Sequence, residues 1–546
     1  MPVIRKQNMR FCRNQPGLDS ADTDSPLTVV KAYHQRTKHS IEEYAQGPES
    51  LDWDAQPDPY RSYEGCATIP LPLQTPDTPY SALFNDEIKA APLCLESIAQ
   101  LVEYSLALSA VKVFGPTSWT VRCNPSSGNL HPTEAYVICD EVDGLHAGVY
   151  HYNAANHHLE QRAAIPMKAL AGTCYLALTS VHWREAWKYG ERAYRYCQLD
   201  VGHAIAAVRY SAALLGWRVT IVQHATDNTI ARWCGIDRNE DFSGVERETA
   251  DLLLRIETGT PSHDEPDLSS VIENAEWFGR ANLLDPRPFY HWQLIDQISQ
   301  ACEKKITTQT TTITTGQNTA PRISTAAAAQ LIKQRRSALA FQAGKGMDQA
   351  GFVAIMSALL PERRSIPLDL LTHSPRLHPI VFVHQVEGLA PGLYCLPRSP
   401  HANAALQEAM LDDFLWQPAL TELPLYLLRE GTARAICKTI SCHQAIASDS
   451  AFSLGMLAEF DSTLSDGQSW RYRELYWEAG ILGQILYLEA EAHGYRGTGI
   501  GCFFDDLFHQ LLGLQNQAFQ SLYHFTVGVP VVDPRITTLS PYAGKE

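Results

Sequence analysis

Residues 124–132 read NPSSGNLHP, and residues 377–379 repeat the last three letters of that stretch as Leu-His-Pro. In both places an apolar segment follows. After it come a glycine-containing turn and a Gly-x-Tyr triplet, at 148–150 in the first copy and 392–394 in the second. Apolar segments around such a turn predict paired β-strands. The same unit therefore begins twice in this chain.

Two further blocks recur in the same order. Lys38-His39-Ser40 corresponds to Arg335-Arg336-Ser337, and Tyr194-Arg195 corresponds to Tyr472-Arg473. Chance similarity between short apolar patterns is the alternative, but three blocks in matching order favour a divergent repeat. Between the copies, residues 307–319 read TTQTTTITTGQNT, which has no apolar periodicity and predicts a linker.

The repeat defines a domain plan for the chain. We predict an N-terminal tail over 1–24, a first domain over 25–300, a Thr-rich linker over 301–322 and a second domain over 323–546. Apolar residues with helical spacing predict one long helix in each domain, over 200–215 and 478–492. Helices mixed with strands predict an α+β fold, with helices flanking a mostly antiparallel sheet. A tandem unit with a long buried helix in each copy predicts an intramolecular pseudo-dimer.

Composition narrows the class of protein. The 546 residues are 45% hydrophobic and 19% charged, as in ordinary globular proteins. The net charge of −16 argues against a nucleic-acid partner. The first twenty residues lack the apolar segment of a signal peptide, and we expect no membrane span. The 13 cysteines form no CxxC pair, so buried thiols in the cytoplasm are expected, and no metal site is predicted.

The loop at 124–129 carries the densest polar chemistry. Its proline fixes a backbone dihedral, its glycine allows close approach, and its serines and asparagines offer donors and acceptors in a tight turn. Such a loop suits a flat heteroaromatic ring edged with carbonyls and nitrogens. A plain turn capped by Ser and Asn is the alternative.

Residues 122–136, RCNPSSGNLHPTEAY, resemble the core motif of the SagB-type thiazoline/oxazoline dehydrogenases, a branch of the FMN-dependent nitroreductase superfamily. Three further blocks of the first half resemble that branch in the same order, namely 33–39 (YHQRTKH), 51–57 (LDWDAQP) and 187–203 (WKYGERAYRYCQLDVGH). The resemblance covers about residues 25–260, and 325–534 more weakly. It implies two nitroreductase-like domains and a non-covalent FMN held between them.

The resemblance also implies which residues hold the cofactor. Arg335, Arg336 and Ser337 match the family's phosphate-gripping motif, whereas the first half has the weaker Lys38-His39-Ser40. The ring-contacting loop survives only in the first half. The implied cofactor-binding residues are Arg122, Pro125, Ser126, Ser127, Gly128, Asn129, Arg335, Arg336, Ser337, Glu478, Gly480, Gly499 and Gly501. The first half has lost the strong phosphate motif, and the second half has lost the ring-contacting loop. Because each half keeps what the other lacks, we predict one working FMN site per chain.

Lys188 and Tyr189 are the candidate catalytic residues. An adjacent Lys-Tyr pair is linked to base chemistry in azoline dehydrogenases, and removal of a C–H proton requires a positioned base. Packing of Tyr189 on a helix, with Lys188 in solvent, is the alternative. Residues 493–501, HGYRGTGIG, lead from a helix into an apparent strand, unlike a dinucleotide-binding loop.

Three functions remain open at this point. The leading prediction is an FMN-dependent dehydrogenase that moves a hydride between substrate and flavin, with azoline oxidation on a modified peptide as the branch's best-known chemistry. A nitroreductase or quinone reductase driven by NAD(P)H is the second. A non-catalytic flavin-binding scaffold is the third. Since the fused halves already supply a pseudo-dimer, we expect a monomer that acts on a small molecule or a modified peptide.

Overall fold

The structure is a computed structural model that describes residues 13–19, 23–85, 87–166, 170, 173–259, 272–306, 324–361, 366–465 and 467–543. The Thr-rich stretch at 307–319 and the first twelve residues of the predicted tail lie outside the described residues. Within the described ranges, no helix is both long and apolar enough to cross a membrane.

The first half builds one large antiparallel sheet. Its elements are β1 (Arg13–Gln15), α1 (Pro26–Arg36), β2 (Tyr63–Glu64), β3 (Thr68–Pro70), α2 (Leu95–Glu103), β4 (Leu108–Phe114), β5 (Thr117–Arg122), β6 (Thr133–Cys139), β7 (Gly148–Asn153), β8 (His158–Ala164), β9 (Cys174–Ser180), α3 (His182–Tyr189), α4 (Ala193–Leu214), β10 (Arg218–Ile221), α5 (Asp227–Cys234), β11 (Thr249–Glu257), β12 (Glu276–Trp277), β13 (Arg280–Ala281), β14 (Tyr290–Trp292) and α6 (Gln293–Ala301). The sheet order is β10-β11-β9-β6-β7-β8-β12, with β3 also paired to β8.

The second half repeats this arrangement. Its elements are α7 (Ala328–Gln334), α8 (Gln349–Ser357), β15 (Leu377–Val383), β16 (Gly392–Cys395), α9 (Pro400–Ala409), β17 (Gln417–Pro418), β18 (Tyr426–Glu430), α10 (Arg434–Ile440), α11 (Ala445–Ser448), β19 (Phe452–Glu459), α12 (Phe460–Thr463), α13 (Arg471–Ala492), β20 (Arg496–Ile500), α14 (Asp505–Leu512), β21 (Phe519–Gly528) and β22 (Thr537–Leu539). The sheet order is β17-β18-β16-β15-β19-β21-β20. The order β18-β16-β15-β19-β21-β20 mirrors β8-β7-β6-β9-β11-β10, so the predicted α+β repeat is confirmed.

The two long helices form the contact between the halves. Helices α4 and α13 are 22 residues each and almost wholly buried. They touch through backbone, because a Cβ added to Gly202 would lie 2.4 Å from the carbonyl oxygen of Trp477. A Cβ added to Gly480 would lie 2.3 Å from that of Leu199. Only glycine permits this approach, and the predicted pseudo-dimer is confirmed.

Matching ion pairs join the halves on either side of this crossing. Arg195 Nη1 lies 2.9 Å from Asp505 Oδ1, and Arg473 Nη2 lies 2.9 Å from Asp227 Oδ1. The two arginines occupy corresponding positions on α4 and α13, and the two aspartates begin α14 and α5. These side chains are buried, so loss of one partner would leave an uncompensated charge and cost about 3–5 kcal/mol.

The chain end returns to the first half. Strand β22 pairs with β4, and β4 pairs with β5, which gives a separate three-stranded sheet. Tyr542, just beyond β22, accepts a hydrogen bond from the backbone N–H of Leu108 at 2.9 Å. Residues 531–538 of the second half are thereby carried to the edge of the first.

Candidate functional site

A pocket of about 460 Å³ lies between the two halves. This volume is in the range of small-molecule and cofactor sites. Its walls come from β4 and β5, the 124–131 loop, the segment after α7, and the chain end. The lining residues are Lys112, Trp119, Val121, Arg122, Asn124, Pro125, Ser126, Gly128, Asn129, His131, Arg335, Arg336, Ser337, Leu339, Arg496, Val531, Val532, Asp533, Ile536 and Thr538.

The polar loop of this pocket has a strained backbone. Gly128, Asn129 and His131 all have positive φ, at 61°, 61° and 53°. Residues other than glycine seldom adopt such angles, and each one costs free energy that the surrounding contacts must offset. Strain of this kind concentrates at binding and catalytic sites.

An aspartate of helix α4 holds the loop in place. The Ser127 backbone N–H donates to Asp200 Oδ1 at 3.0 Å, and the Ser127 hydroxyl donates to the same oxygen at 3.0 Å. The Ser126 hydroxyl accepts from the backbone N–H of His131 at 2.8 Å. Burial raises the pKa of Asp200 to about 7, although hydrogen bonds from Ser126 and Ser127 lower it.

The corresponding loop of the second half is held in a similar way but carries other groups. The backbone N–H of Arg376 donates to Glu478 Oε2 at 3.1 Å, and Glu478 occupies the position on α13 that Asp200 occupies on α4. Glu478 also pairs with the buried Arg398. The side chain of Arg376 is neutralised by Glu474 at 2.9 Å. Glu478 thus supports the second loop.

Two guanidinium groups form the wall opposite the polar loop. Arg335 is buried, donates from Nη2 to the carbonyl oxygen of Arg122 at 3.1 Å, and lies 4.9 Å above the ring of Tyr487. Arg336 donates from Nη2 to the carbonyl oxygen of Ser109 at 3.1 Å. Burial, and then the charge of the neighbouring Arg335, lower the pKa of Arg336 to about 10.

These arginines have unused hydrogen-bonding capacity. The Nε atoms of Arg335, Arg336 and Arg122 are buried and have no hydrogen-bond partner within the described part of the chain. Among the described residues, none of the three has a carboxylate oxygen within 4.0 Å. Buried cations without a counter-ion are costly, and a bound anion would satisfy them. The buried Oδ1 of Asn124, on the opposite wall, also lacks a partner.

The structure brings together some of the predicted cofactor residues and not others. Arg122, Pro125, Ser126, Gly128, Asn129, Arg335, Arg336 and Ser337 line the pocket. Ser127 faces Asp200 instead, and Gly480 lies at the helix crossing. Gly499 is connected to the pocket through one side chain. Tyr487 Oη accepts a hydrogen bond from the Gly499 N–H at 3.0 Å and lies 2.7 Å from Oγ of the pocket residue Ser337. Gly501 contacts Arg192 and Tyr196, outside the pocket.

Lys188 and Tyr189, at the end of α3, abut the polar loop at Gly128. A Cβ added to Gly128 would lie 2.5 Å from Tyr189 Oη and 3.1 Å from Lys188 Nζ. Burial lowers the pKa of Lys188, and the nearby Glu185 raises it. Burial likewise raises the pKa of Tyr189 well above its usual value. Both side chains therefore end beside a pocket-lining residue, Lys188 with an amine that is easier to deprotonate.

Glu185 is a residue that sequence reasoning missed. It is fully buried, and neither carboxylate oxygen has a hydrogen-bond partner within the described part of the chain. Burial, and then the nearby carboxyl of Asp200, raise its pKa well above the usual range. The available signal was its spacing, because residues three apart share one face of a helix and Glu185 precedes Lys188 by three.

The opposite phosphate motif is placed differently. Lys38, which corresponds to Arg335, lies 2.7 Å from Asp506 and is already paired.

No group of three or more His, Cys, Asp or Glu side chains in the described ranges is placed to hold a metal ion.

The molecule consists of two like α+β halves with an arginine-lined pocket between them. A model of the Nitroreductase family matches residues 89–245 and 307–529, one stretch in each half and together more than half of the chain. The chain belongs to the nitroreductase family, in tandem, as predicted. Family membership indicates an oxidoreductase.

Particular relatives are consistent with this assignment. The chain is 31% identical over 211 residues to the trifolitoxin-processing protein TfxB of Rhizobium leguminosarum bv. trifolii, over 35% of this chain. That match spans about half, 52%, of TfxB. This chain is also 26% identical over 156 residues to MJ1384 of Methanocaldococcus jannaschii, which is named as a nitroreductase. That match covers 26% of this chain and 75% of MJ1384. A solved structure from Anabaena variabilis, also named as a nitroreductase, covers 92% of this chain and 99% of its own with a TM-score of 0.65 and 22% identity, which supports the fold.

Proposed function

We propose that this protein is an FMN-dependent oxidoreductase that binds one FMN per chain in the pocket between its halves. One observation carries the proposal. The buried Arg335 and the half-buried Arg336, from the second half, present guanidinium groups to a polar loop of the first half, and neither has a carboxylate partner among the described residues. Guanidinium groups match phosphate oxygens in charge and geometry. The pocket volume fits a phosphorylated ring, and the Asn124 Oδ1, which has no partner among the described residues, would accept a hydrogen bond from a ring N–H.

The pocket residues divide the work of binding. Arg335 and Arg336 would take the phosphate, and Asn124, Ser126 and Asn129 would contact the ring edge. FMN, when bound, supplies a two-electron acceptor and donor, while the protein supplies orientation and electrostatics. The second potential site differs, because Lys38 pairs with Asp506 and Arg376 pairs with Glu474.

Lys188 is the proposed base for oxidation of the substrate. Its lowered pKa makes the neutral amine available closer to neutral pH, which a general base needs. Tyr189 lies beside it and would orient the substrate or share its proton. Glu185 lies on the same helix face and would hold a proton in exchange with Lys188. This assignment needs the substrate to reach the side of the loop where Gly128 meets both residues.

The proposed substrate is a modified peptide whose azoline ring is oxidised to an azole. The similarity to a trifolitoxin-processing protein supports this choice. Oxidation of the ring would remove one C–H proton, which Lys188 would take, and a hydride, for which bound FMN would supply the two-electron acceptor. Reduction of a nitro or quinone substrate by NAD(P)H is the second candidate, supported by the similarity to MJ1384. We propose that the chain acts as a monomer, because its own two halves form the site.

The decisive experiment is flavin quantitation on the purified full-length chain, reconstituted with FMN. We expect one FMN per chain and an absorption band near roughly 450 nm, typical of bound flavin cofactors. Two FMN per chain would refute the single-site proposal, and no FMN would refute the cofactor. Mixing the oxidised holoprotein rapidly with NAD(P)H separates the two enzyme candidates, since fast bleaching of the flavin supports the reductase.

A further inference from the structure

Two cysteines of the second half lie unusually close together, away from the pocket. Cys502 Sγ is 2.8 Å from Cys442 Sγ. A disulfide bond is about 2.05 Å long, so the sulfur atoms need to approach by less than about 1 Å to bond. Cys442 follows helix α10, and Cys502 follows strand β20. Both side chains are half-buried and within reach of a small reagent.

The surroundings of this thiol pair suit exchange chemistry. His39 hydrogen-bonds the Cys502 thiol, and its Nδ1 accepts from the backbone N–H of Ala45 at 2.9 Å. That bond leaves Nε2 to carry the imidazole proton. Three neighbouring groups lower the pKa of Cys502. The Cys442 thiol has the largest effect, and His39 and Arg192 have smaller ones. The pKa of Cys442 is raised, so one sulfur is the nucleophile and the other stays protonated.

The backbone at this point is also strained. Cys442 and His443 have positive φ, at 51° and 60°, in two successive residues that are not glycine. Such a pair costs free energy, and it holds the Cys442 sulfur against Cys502. The ring of Tyr44, which is 49% exposed, covers this cluster on the solvent side at 4.9 Å from His39.

We propose that Cys442 and Cys502 form a thiol–disulfide exchange site that accepts low-molecular-weight disulfides. The Cys502 thiolate attacks one sulfur of the disulfide, forms a mixed disulfide and releases the first thiolate, which takes a proton from water. Cys442 then loses its proton and attacks Cys502 Sγ. The Cys442–Cys502 bond forms, and the second thiolate leaves. Two protein thiols are oxidised and one small disulfide is reduced to two thiols. No flavin takes part, so this site stands or falls independently of the proposed cofactor.

The chain contains its own comparison thiols. Cys66 and Cys94 are half-buried like the proposed pair. Burial raises the pKa of Cys66 to about 11, which leaves little thiolate at neutral pH. If exposure alone decided reactivity, Cys66 and Cys94 would react with a disulfide as Cys442 and Cys502 do.

The test uses the full-length protein and oxidised glutathione at neutral pH, followed by alkylation, digestion and mass spectrometry. We expect a peptide linked through Cys442 and Cys502 in the wild type, reversed by dithiothreitol, with Cys66 and Cys94 still free. In Cys442→Ser, the glutathione adduct should remain on Cys502. In His39→Asn, the pH at which Cys502 alkylation reaches half its maximal rate should move up by roughly one unit, because the imidazole lowers the pKa of the Cys502 thiol.

Two outcomes would overturn the proposal. One is a wild-type protein in which the linked peptide fails to form at equilibrium with oxidised glutathione. The other comes from the single serine variants. It is a stable glutathione adduct on Cys442 in Cys502→Ser, with no adduct on Cys502 in Cys442→Ser. The wild-type measurement needs no variant, so it remains decisive even if a substitution at either cysteine unfolds the protein.

Discussion

The backbone N–H and the hydroxyl of Ser127 both donate to the carboxyl of Asp200, each at 3.0 Å to Oδ1. This contact ties the strained pocket loop to the central helix α4, which itself packs on α13 of the other half. The loop's position therefore depends on the contact between halves. Asp200 is buried, and burial raises its pKa to about 7.

Asp200 should make stability depend on pH. Its folded-state pKa lies above its unfolded value, so the folded state prefers the protonated carboxyl. The associated free energy of unfolding falls as pH rises from about 4 to 7 and stays reduced above that. The asparagine side chain of the Asp200→Asn variant cannot ionise. We therefore expect the free energy of unfolding of Asp200→Asn, relative to that of wild type, to rise by at least about 1 kcal/mol from pH 5 to pH 8. Melting temperatures at both pH values measure this.

Ser127→Ala is the control for that prediction. It removes a donor that lowers the pKa of Asp200 but keeps the titrating carboxyl, so its free energy of unfolding should fall between pH 5 and pH 8 at least as much as that of wild type. If Asp200→Asn shows the same offset at pH 5 and pH 8, Asp200 does not titrate in this range.

Removal of either pocket arginine should weaken FMN binding. Loss of one partner of a buried charge pair costs about 2–5 kcal/mol, so Arg335→Ala and Arg336→Ala should each bind FMN at least about thirtyfold more weakly. Flavin fluorescence titration measures the dissociation constant. Lys38→Ala is the matched control, because Lys38 holds the equivalent sequence position but pairs with Asp506. Normal binding by both arginine variants, with loss in Lys38→Ala, would place the cofactor at the other site.

Gly128→Ala should impair the site through crowding as well as backbone strain. Its φ is 61°, and the added Cβ would lie 2.5 Å from Tyr189 Oη, so Tyr189 and Lys188 must shift. Gly115→Ala is matched for strain, with φ of 57° and nothing within 4 Å of the added atom. Left-handed backbone costs roughly 1–2 kcal/mol for alanine. We expect both variants to lose that stability, measured by denaturant unfolding, and only Gly128→Ala to lose FMN affinity as well. Equal FMN binding would show that the loop tolerates the displacement.

The amine of Lys188 should react as an unusually acidic lysine. Only the neutral amine is nucleophilic, so its acetylation rate with acetic anhydride should rise with pH through the lowered folded-state pKa. Because Glu185 raises that pKa, Glu185→Gln should move the rise to lower pH. Mass spectrometry of the Lys188 peptide reports the rate, and the exposed Lys345 reports reagent decay in the same sample. A profile unchanged by Glu185→Gln would remove Glu185 from the proposed proton exchange.

Local patterns carried much of the fold. The Leu-His-Pro repeats predicted strands β6 and β15, and the structure has them at Thr133–Cys139 and Leu377–Val383. Helices α4 and α13 were predicted from their apolar periodicity, but they begin earlier, at Ala193 and Arg471. Arg195 and Arg473 interrupt the apolar pattern there. They are buried all the same, because Asp505 and Asp227 of the opposite half neutralise them.

The pocket was only partly predictable. Motif resemblance named the loop and the Arg-Arg-Ser segment, yet the sequence contains no signal that Arg335 meets the carbonyl of Arg122, 213 residues away. Lys112 on β4 and residues 531–538 were missed, since the pairing of β22 with β4 alone brings the chain end to the pocket. Glu478 was expected at the cofactor and instead supports the second loop through Arg376.

The sequence by itself determined that two like α+β units lie in tandem and which short segments carry polar chemistry, because periodicity and turn residues are local properties. Tertiary structure alone decided which segments meet, which cations remain unpaired and where Glu185 and Cys502 lie. The physical reason is that burial and counter-ions are set by contacts between residues far apart in the chain. Those contacts, at the crossing of Gly202 and Gly480, exist only once the two halves pack together.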